Sequence, residues 1–332
     1  MFGKRVLKLL SGAVFLTTLL SPLFAQEDID ELDLPPEVLN YSNEIDPGPP
    51  PRLTDFAAGP YALTRQYMTG YLNVADSHTL KSHRFKAGVL TIYHMWSYKL
   101  SGVQVDNNFG DGIFSWGIGL LDWLELNFFV PVRWYYDPEI AGELVDLTTP
   151  INIFDTALSL KAAWKNPYFG AGIGVVQTFT FTDLKLLGTK TDGYGVGDYI
   201  TKFTGILSFT PNDALSFDFN LSYYFGGDGK RTKFDFEGLV FAFGSSFDLS
   251  YGFALYGQIE YWNPFLPFSK DNSRITVAGG IKVQTTETGA LFFSLGYSIK
   301  KPDLTPTNPA LSGLNYKEDS YIYIAFNLVE NW

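Results

Sequence analysis

The sequence has no cysteine among its 332 residues. This absence excludes disulfide bonds, cysteine nucleophiles and cysteine metal sites, and we expect no lipoprotein anchor because a lipobox needs cysteine. Beyond the N-terminus there is no run of ~20 apolar residues, which excludes a bundle of membrane-spanning helices. Histidine is scarce, with three residues, and only His94 falls within a predicted strand. We therefore expect no enzyme activity, no cofactor and no metal site.

The N-terminal 52 residues are predicted to lie outside the folded domain. Residues 1–25 have the pattern of a secretory signal peptide. Lys4 and Arg5 precede an apolar run, and the predicted peptide ends at the small residue Ala25. Residues 26–52 are acidic and rich in proline, so they cannot bury enough apolar surface to fold alone. We predict a disordered periplasmic linker there, with a segment that binds a basic partner as the alternative.

The rest of the chain is unusually aromatic, with 29 Phe, 20 Tyr and 7 Trp. The mean hydropathy is nevertheless close to zero, at +0.02. In a strand that faces lipid on one side and water on the other, the apolar and polar residues together give a mean hydropathy near zero.

Twelve segments of alternating apolar and polar residues follow from Arg84 onward. Their predicted bounds are 84–97, 110–121, 123–136, 152–165, 167–182, 198–210, 213–226, 233–248, 252–263, 273–285, 288–300 and 319–331. The connections after the even-numbered segments are tight, whereas those after the odd-numbered segments are mostly longer. Short turns on one rim and long loops on the other are typical of bacterial outer-membrane barrels.

Strand length distinguishes a membrane barrel from a soluble β-sandwich or lipocalin-like barrel. The segments exceed the roughly 5 or 6 residues of a globular strand and reach the roughly 9 to 11 that a tilted membrane strand needs. In the third segment Leu124, Leu126 and Phe128 share one face and Glu125 and Asn127 the other. Aromatic residues also gather at the segment ends, as in the girdles at membrane interfaces.

The predicted fold is therefore all-β: a closed antiparallel transmembrane barrel of about 12 strands over residues 84–332, in the cell outer membrane. Lipid offers no hydrogen bonds, so the first strand must pair with the last. Residues 53–83 form a pre-barrel segment, which we hypothesise enters the periplasmic mouth as a stopper. The N-terminal region and Trp332 are placed in the periplasm, and the longer loops face outward.

The last segment carries Ile322, Ile324, Phe326 and Leu328 on one face and ends in Trp332. This pattern resembles the C-terminal signal that the barrel-assembly machinery recognises in Gram-negative outer-membrane proteins. The resemblance implies that machinery as a partner, with Phe326, Leu328 and Trp332 as the assembly signal. Glu330 departs from the pattern, since an aromatic or aliphatic residue is usual there.

Two further stretches carry a second resemblance. Residues 69–80 lead into the first strand, and residues 116–126 contain a glycine-rich strand, a turn and Leu124-Glu125-Leu126, with Pro131 following. They are similar to the meta-pathway phenol-degradation-like outer-membrane channels. The resemblance implies an outer-membrane barrel that transports solutes, and it assigns no substrate residues.

Charged residues of both signs fall on the face predicted to line the interior. The candidate lumen-lining residues are Lys86, Glu125, Arg133, Asp155, Lys161, Lys202, Asp218, Glu260, Arg274 and Lys282. They favour a passive channel for small solutes. The alternative is a barrel filled by ion pairs, which acts as a structural or surface-binding protein through its loops or acidic linker. The width of a twelve-stranded barrel does not decide between them, because it lies between that of small barrels filled by side chains and that of large barrels with an open pore.

A lipid-modifying enzyme of the outer membrane is the third hypothesis. It would use His94 with the nearby Ser97, but the sequence lacks a His-x-Ser-Asn-Gly pattern. The lipid bilayer is an expected partner and nucleic acid is not.

Overall fold

The computed structural model describes residues 62–63, 68–70, 73–135, 139–140, 143–144, 151–153, 155–179, 185–186, 189–190, 200–212, 214–226, 237–250, 252–265, 273–286, 288–304 and 316–331. By its contacts the chain divides into Met1–Pro50 and Pro51–Trp332, and all described residues belong to the second unit. The predicted signal peptide, the predicted acidic linker and Trp332 lie outside the described residues.

Twelve long strands form the barrel. The first six are β1 (Phe85–Leu100), β2 (Val103–Leu121), β3 (Leu124–Tyr135), β4 (Thr156–Lys165), β5 (Phe169–Phe179) and β6 (Ile200–Asn212). The other six are β7 (Leu215–Gly226), β8 (Glu237–Ser250), β9 (Phe253–Pro264), β10 (Arg274–Gln284), β11 (Gly289–Lys300) and β12 (Tyr316–Asn331). Each strand pairs antiparallel with the next in the chain.

The barrel is closed between its first and last strands, as predicted. β12 pairs antiparallel with β1 from Tyr316↔Leu100 to Asn331↔Lys86, with a bulge between Glu318 and Ser320. Every long strand therefore has two neighbours, and none of the twelve described strands is left as an edge strand. This arrangement is what a lipid environment requires.

The two rims differ in their connections. One, here the turn rim, has the connections 122–123, 166–168, 213–214, 251–252 and 285–288, and the chain enters β1 and leaves β12 there. The other, the loop rim, has connections that are longer, apart from the one between β1 and β2.

The sequence predicted a long connection over residues 98–109 between the first two strands, and this prediction is wrong. β1 continues to Leu100 and β2 begins at Val103, so only Ser101 and Gly102 join them. Both have positive φ, 52° and 86°, as a two-residue hairpin turn of type I′ requires. The polar residues from Gln104 to Asn108 resemble a loop in the sequence, but their backbone pairs with β1.

Short ladders add to the barrel near the loop rim. Ile151–Ile153 pairs with β3, Glu139–Ile140 pairs with β2 and with Glu143–Leu144, and Asp303–Leu304 pairs with β12. Two further two-residue pairs also occur: Ala62–Leu63 with Thr69–Gly70, and Lys185–Leu186 with Thr189–Lys190.

The outward surface of the barrel is apolar. Leu207, Phe219 and Leu221 each expose half of their side chain, whereas Ser208 and Asn220, which alternate with them, are buried inside. A soluble monomer rarely exposes so large an apolar area, but lipid-facing strands do. Among the described residues, no α-helix has the length and apolar character needed to cross a bilayer.

The barrel interior as candidate functional site

The pre-barrel segment turns into the barrel at the turn rim. The backbone of His83 donates to the carbonyl of Gly119 at 2.8 Å, and Gly119 donates to the carbonyl of Arg84 at 2.9 Å. From there the chain runs into the lumen. We call residues 68–70 and 73–80 the inner segment. Its residues from Asn73 to Ser77 are almost fully buried, at 0 to 2% exposure.

Polar side chains of three wall strands hold the backbone of the inner segment. The backbone N–H of Asn73 donates to Gln258 of β9 at 2.8 Å, and that of Ser77 donates to Ser208 of β6 at 3.0 Å. Between them the amide of Asn220 on β7 binds both the N–H and the carbonyl of Ala75. Alternate residues of an extended chain therefore attach to successive parts of the wall.

The side chains of the inner segment fill the interior. Asn73 Nδ2 donates to the hydroxyl of Tyr323 on β12 at 2.9 Å. Met68 lies against Gly174 of β5, where an added Cβ would collide with its thioether. The segment thus contacts the wall on several sides and occupies part of the barrel interior.

A charged cluster joins the inner segment to β3 and β4. Asp76 lies 3.4 Å from the ammonium of Lys161, which is itself 3.7 Å from Glu125. The ring of His78 contacts Asp76 at 3.3 Å through Nδ1 and Lys165 at 2.5 Å through Nε2. Every group of the cluster that carries charge therefore has an opposite charge close by, as buried ions require.

Burial alone would raise the pKa of the Asp76 carboxyl, but Lys161 and His78 outweigh it and hold that pKa at about 2. For His78 burial dominates and lowers the pKa, against the opposing effect of Asp76. At neutral pH the ring is therefore uncharged. It donates from Nδ1 to Asp76 and accepts from Lys165 at Nε2.

A second cluster lies nearer the loop rim, on β1, β2, β3 and β12. Arg133 binds both oxygens of Asp111, with Nε at 2.5 Å and Nη2 at 2.9 Å, and its guanidinium lies 4.3 Å from the centre of the Phe109 ring. His94 contacts Asp111 through Nε2 at 3.1 Å and the hydroxyl of Tyr321 through Nδ1 at 2.7 Å. One carboxylate thus links three strands through charge-assisted hydrogen bonds.

Arg274 extends this arrangement around the wall. Its guanidinium forms an ion pair with the buried Glu318 and lies 4.9 Å from the centre of the Tyr321 ring and 5.9 Å from that of Trp262. The sequence predicted Arg133 and Arg274 as inward-facing residues but not their acidic partners. Asp111 lies at the edge of a predicted strand, and Glu318 lies in a predicted loop.

The interior is not polar throughout, contrary to the expectation that hydrophilic side chains enclose it. Leu90 and Ile92 of β1, Ile113 of β2, Phe129 of β3 and Tyr323 of β12 all point inward and are buried. Near these strands Met68 of the inner segment packs into the same cluster. The sequence of β1 is apolar on both faces over this stretch, so alternation does not reveal which face is inside.

The structure places the predicted lumen-lining residues as follows. Five are buried: Lys86, Glu125, Lys161, Asp218 and Lys282. Five are partly exposed: Arg133, Asp155, Lys202, Glu260 and Arg274. Of the assembly-signal residues, Phe326 and Leu328 lie on the outward face of β12, where Phe326 is 39% exposed.

The geometry does not bring Ser97 and His94 together. They are three positions apart on β1, so their side chains leave the strand on opposite faces. The hydroxyl of Ser97 accepts a hydrogen bond from Gln104 at 2.5 Å, while both ring nitrogens of His94 contact other groups. His94 is therefore not placed to activate the hydroxyl of Ser97.

The fold has counterparts among solved structures. An outer membrane channel from Pseudomonas putida F1 aligns with a TM-score of 0.53 and 11% identity, over 79% of this chain and 100% of that one. The Pseudomonas putida toluene transporter TodX (TM-score 0.42, 9% identity, 84% and 97% covered) and the NanC porin (0.43, 10%, 72% and 98%) are also similar. No protein-family model and no curated protein matches the sequence.

The first of these likenesses establishes that the chain has the fold of an outer-membrane barrel channel, as the sequence predicted. The finer resemblance to the meta-pathway channels is not confirmed and stays a prediction.

Proposed function

We propose that the protein is a channel of the cell outer membrane through which small solutes diffuse down their gradients. The observation that carries the proposal is a closed barrel with an apolar outer belt, whose interior is crossed by a separate segment of chain rather than filled by wall side chains alone. Wall groups that bind this segment through hydrogen bonds can also bind a solute. No covalent chemistry is required of the protein.

The alternative is a barrel that does not conduct and acts as a structural or surface-binding protein. The near-complete burial of residues 73 to 77 in the lumen favours it, because a filled interior leaves little room for solute. The proposed stopper role of the pre-barrel segment connects the two possibilities, since the same barrel conducts when the segment is absent from the lumen.

Single-channel recording in planar bilayers tests the proposal. The full chain is expected to conduct in rare or small events, and a deletion of residues 53–82 to conduct more. No conductance of either protein at any voltage, with folding shown by the heat-dependent shift of barrel mobility in gels, would reject the channel. Unchanged conductance of the deletion would reject the stopper alone.

The barrel-assembly machinery is proposed as the partner that inserts the protein. Phe326 and Leu328 support the proposal because they lie on the outward face of the last strand, where they are accessible before insertion. Substitution of both by Ser is expected to reduce the amount of assembled barrel in outer membranes, whereas substitution of the inward Asn327 by Ser is expected to reduce it less.

A further inference from the structure

Lysines dominate the half of the lumen next to the turn rim. The inward ammonium groups of the wall strands there are those of Lys86, Lys161, Lys165 and Lys282. The inward carboxylates of the same half, among the described residues, are those of Glu125, Asp218 and Asp248. Four formal positive charges therefore face three negative charges on the wall itself.

Asp76 supplies the fourth negative charge, although it does not belong to the wall. Its carboxylate is 3.4 Å from Lys161 and accepts the backbone N–H of His78 at 3.0 Å. Asp76 is 1% exposed and Lys161 is fully buried. Lys161 also lies 3.7 Å from Glu125, and Asp76 brings a second, nearer carboxylate to the same ammonium. Removal of a partner from a buried ion pair is destabilising, so this position of the wall favours an anion.

The neutral groups beside Asp76 suit an organic anion better than a bare inorganic ion. Asn220 binds the amide hydrogen and carbonyl of Ala75, the residue that precedes the carboxylate. The wall therefore binds both the carboxylate of Asp76 and the neutral peptide groups next to it in the chain. A dianion would exceed the single charge that is needed.

We propose that this half of the lumen is a binding site for the carboxylate group of a small organic anion, and that Asp76 occupies the site in this structure. The proposal rests on the proposed channel function and gives its solute class, the small monocarboxylates. Passing solutes bind where Asp76 binds, and Lys161 is the residue that attracts them.

The test is chemical rescue in the full-length protein folded in detergent micelles. Asp76→Gly removes the group that acetate reproduces, and it leaves Lys161 with the more distant carboxylate of Glu125. Acetate is expected to raise the unfolding temperature of this variant by several degrees at concentrations where neutral acetamide and chloride have no effect. The wild-type protein should bind acetate at least about tenfold more weakly, because its own carboxylate is present at high effective concentration.

Two further variants complete the design. Asp122→Gly removes an exposed carboxylate at the turn rim, where Ser82 donates to it, and should not respond to acetate. Asp76→Gly combined with Lys161→Gln should lose the response. If Asp76→Gly does not fold, the milder Asp76→Ala with formate makes the same comparison.

A response to chloride equal to that to acetate, or no response to acetate in a folded variant, would overturn the proposal. The outcome is independent of the channel function, because binding in micelles is measured without conduction. A protein that binds acetate but never conducts would refute the channel and leave the carboxylate site standing.

Discussion

The side-chain amide of Asn220 binds the backbone of Ala75 at both of its hydrogen-bonding groups. Oδ1 accepts from the N–H at 2.6 Å, and Nδ2 donates to the carbonyl at 2.8 Å. A single side chain of β7 thus gives the inner segment the pairing that a neighbouring strand would otherwise give. Asn220 lies at the centre of three wall contacts to alternate residues of the segment.

Asn220→Ala is expected to release the inner segment more often. Two neutral hydrogen bonds are lost, each contributing about 0.5–1.5 kcal/mol, so the released fraction should rise by roughly 5-fold to 150-fold. Single-channel recording would show this as more frequent open events.

The matched control for this prediction is Ser222→Ala. Ser222 lies two residues further on the same face of β7, and its hydroxyl bonds Thr204 of the wall at 2.9 Å. Equal gains in opening for the two variants would show that Asn220 does not hold the segment.

Acidification is expected to loosen the inner segment through His78. Burial lowers the pKa of the bound ring below its ordinary 6.5, so the released segment takes up a proton more readily than the bound one. The contribution of His78 to binding is complete above about pH 6.5 and is lost as the pH falls from there through the lowered pKa.

Each charged group around His78 affects this result. Protonation places a second positive charge 2.5 Å from the ammonium of Lys165 and close to Lys161, while Asp76 opposes the effect. Because the pKa of Asp76 is about 2, its carboxylate stays ionised down to about pH 5. Open events should therefore increase as the pH falls from about 6.5 to about 5, and in His78→Gln the increase should be smaller.

Gly119→Val is expected to disrupt the seam between the pre-barrel segment and β2. A Cβ at this position would collide with the backbone carbonyls of Leu80 and Lys81, and forced overpacking costs about 1–3 kcal/mol. The temperature at which the barrel unfolds in gel-shift assays should fall. Gly205→Ala is the control, since its Cβ would meet only a carbonyl at 3.9 Å, and an equal fall there would contradict the prediction.

Asp111→Ala is expected to be the most destabilising of these changes. It leaves the guanidinium of Arg133 without its carboxylate and removes the Nε2 contact of His94. The pair is partly buried, with 27% of Arg133 and 16% of Asp111 exposed, so its loss should cost less than the about 3–5 kcal/mol of a fully buried pair broken from one side and more than the loss of an exposed pair. An exposed pair should matter little, so Lys99→Ala, which breaks the 3.8 Å contact with Asp319, should leave the unfolding temperature almost unchanged.

The sequence predicted the barrel because the lipid-facing alternation is a local signal. Phe219 lies between Asp218 and Asn220 along β7, and a single strand is enough to show that its apolar and polar faces differ. Most strand ends agree within a few residues. The extension of β1 beyond Ser97 and of β2 before Gly110 was not predicted, because Asp106, Asn107 and Asn108 interrupt the alternation of apolar and polar residues there.

The site was predicted less completely, for a physical reason. Glu125 and Lys161 were identified as inward charges, but their distance depends on the register between β3 and β4. The partnership of Asp76 with Lys161 joins positions 85 residues apart, and nothing in either local sequence indicates it. The apolar residues on the inner face of the wall were not predicted, because the sequence does not distinguish an apolar residue that faces the lumen from one that faces lipid.

The wall of this barrel recognises the inner segment chiefly through peptide groups, at Asn73, Ala75 and Ser77. Every residue except proline has a peptide N–H, so these three backbone attachments do not themselves depend on which side chain stands at Asn73, Ala75 or Ser77. Proline is the exception, since it has no hydrogen to give to Gln258, Asn220 or Ser208. A proline at any of these three positions would therefore remove an attachment that the other residue types keep.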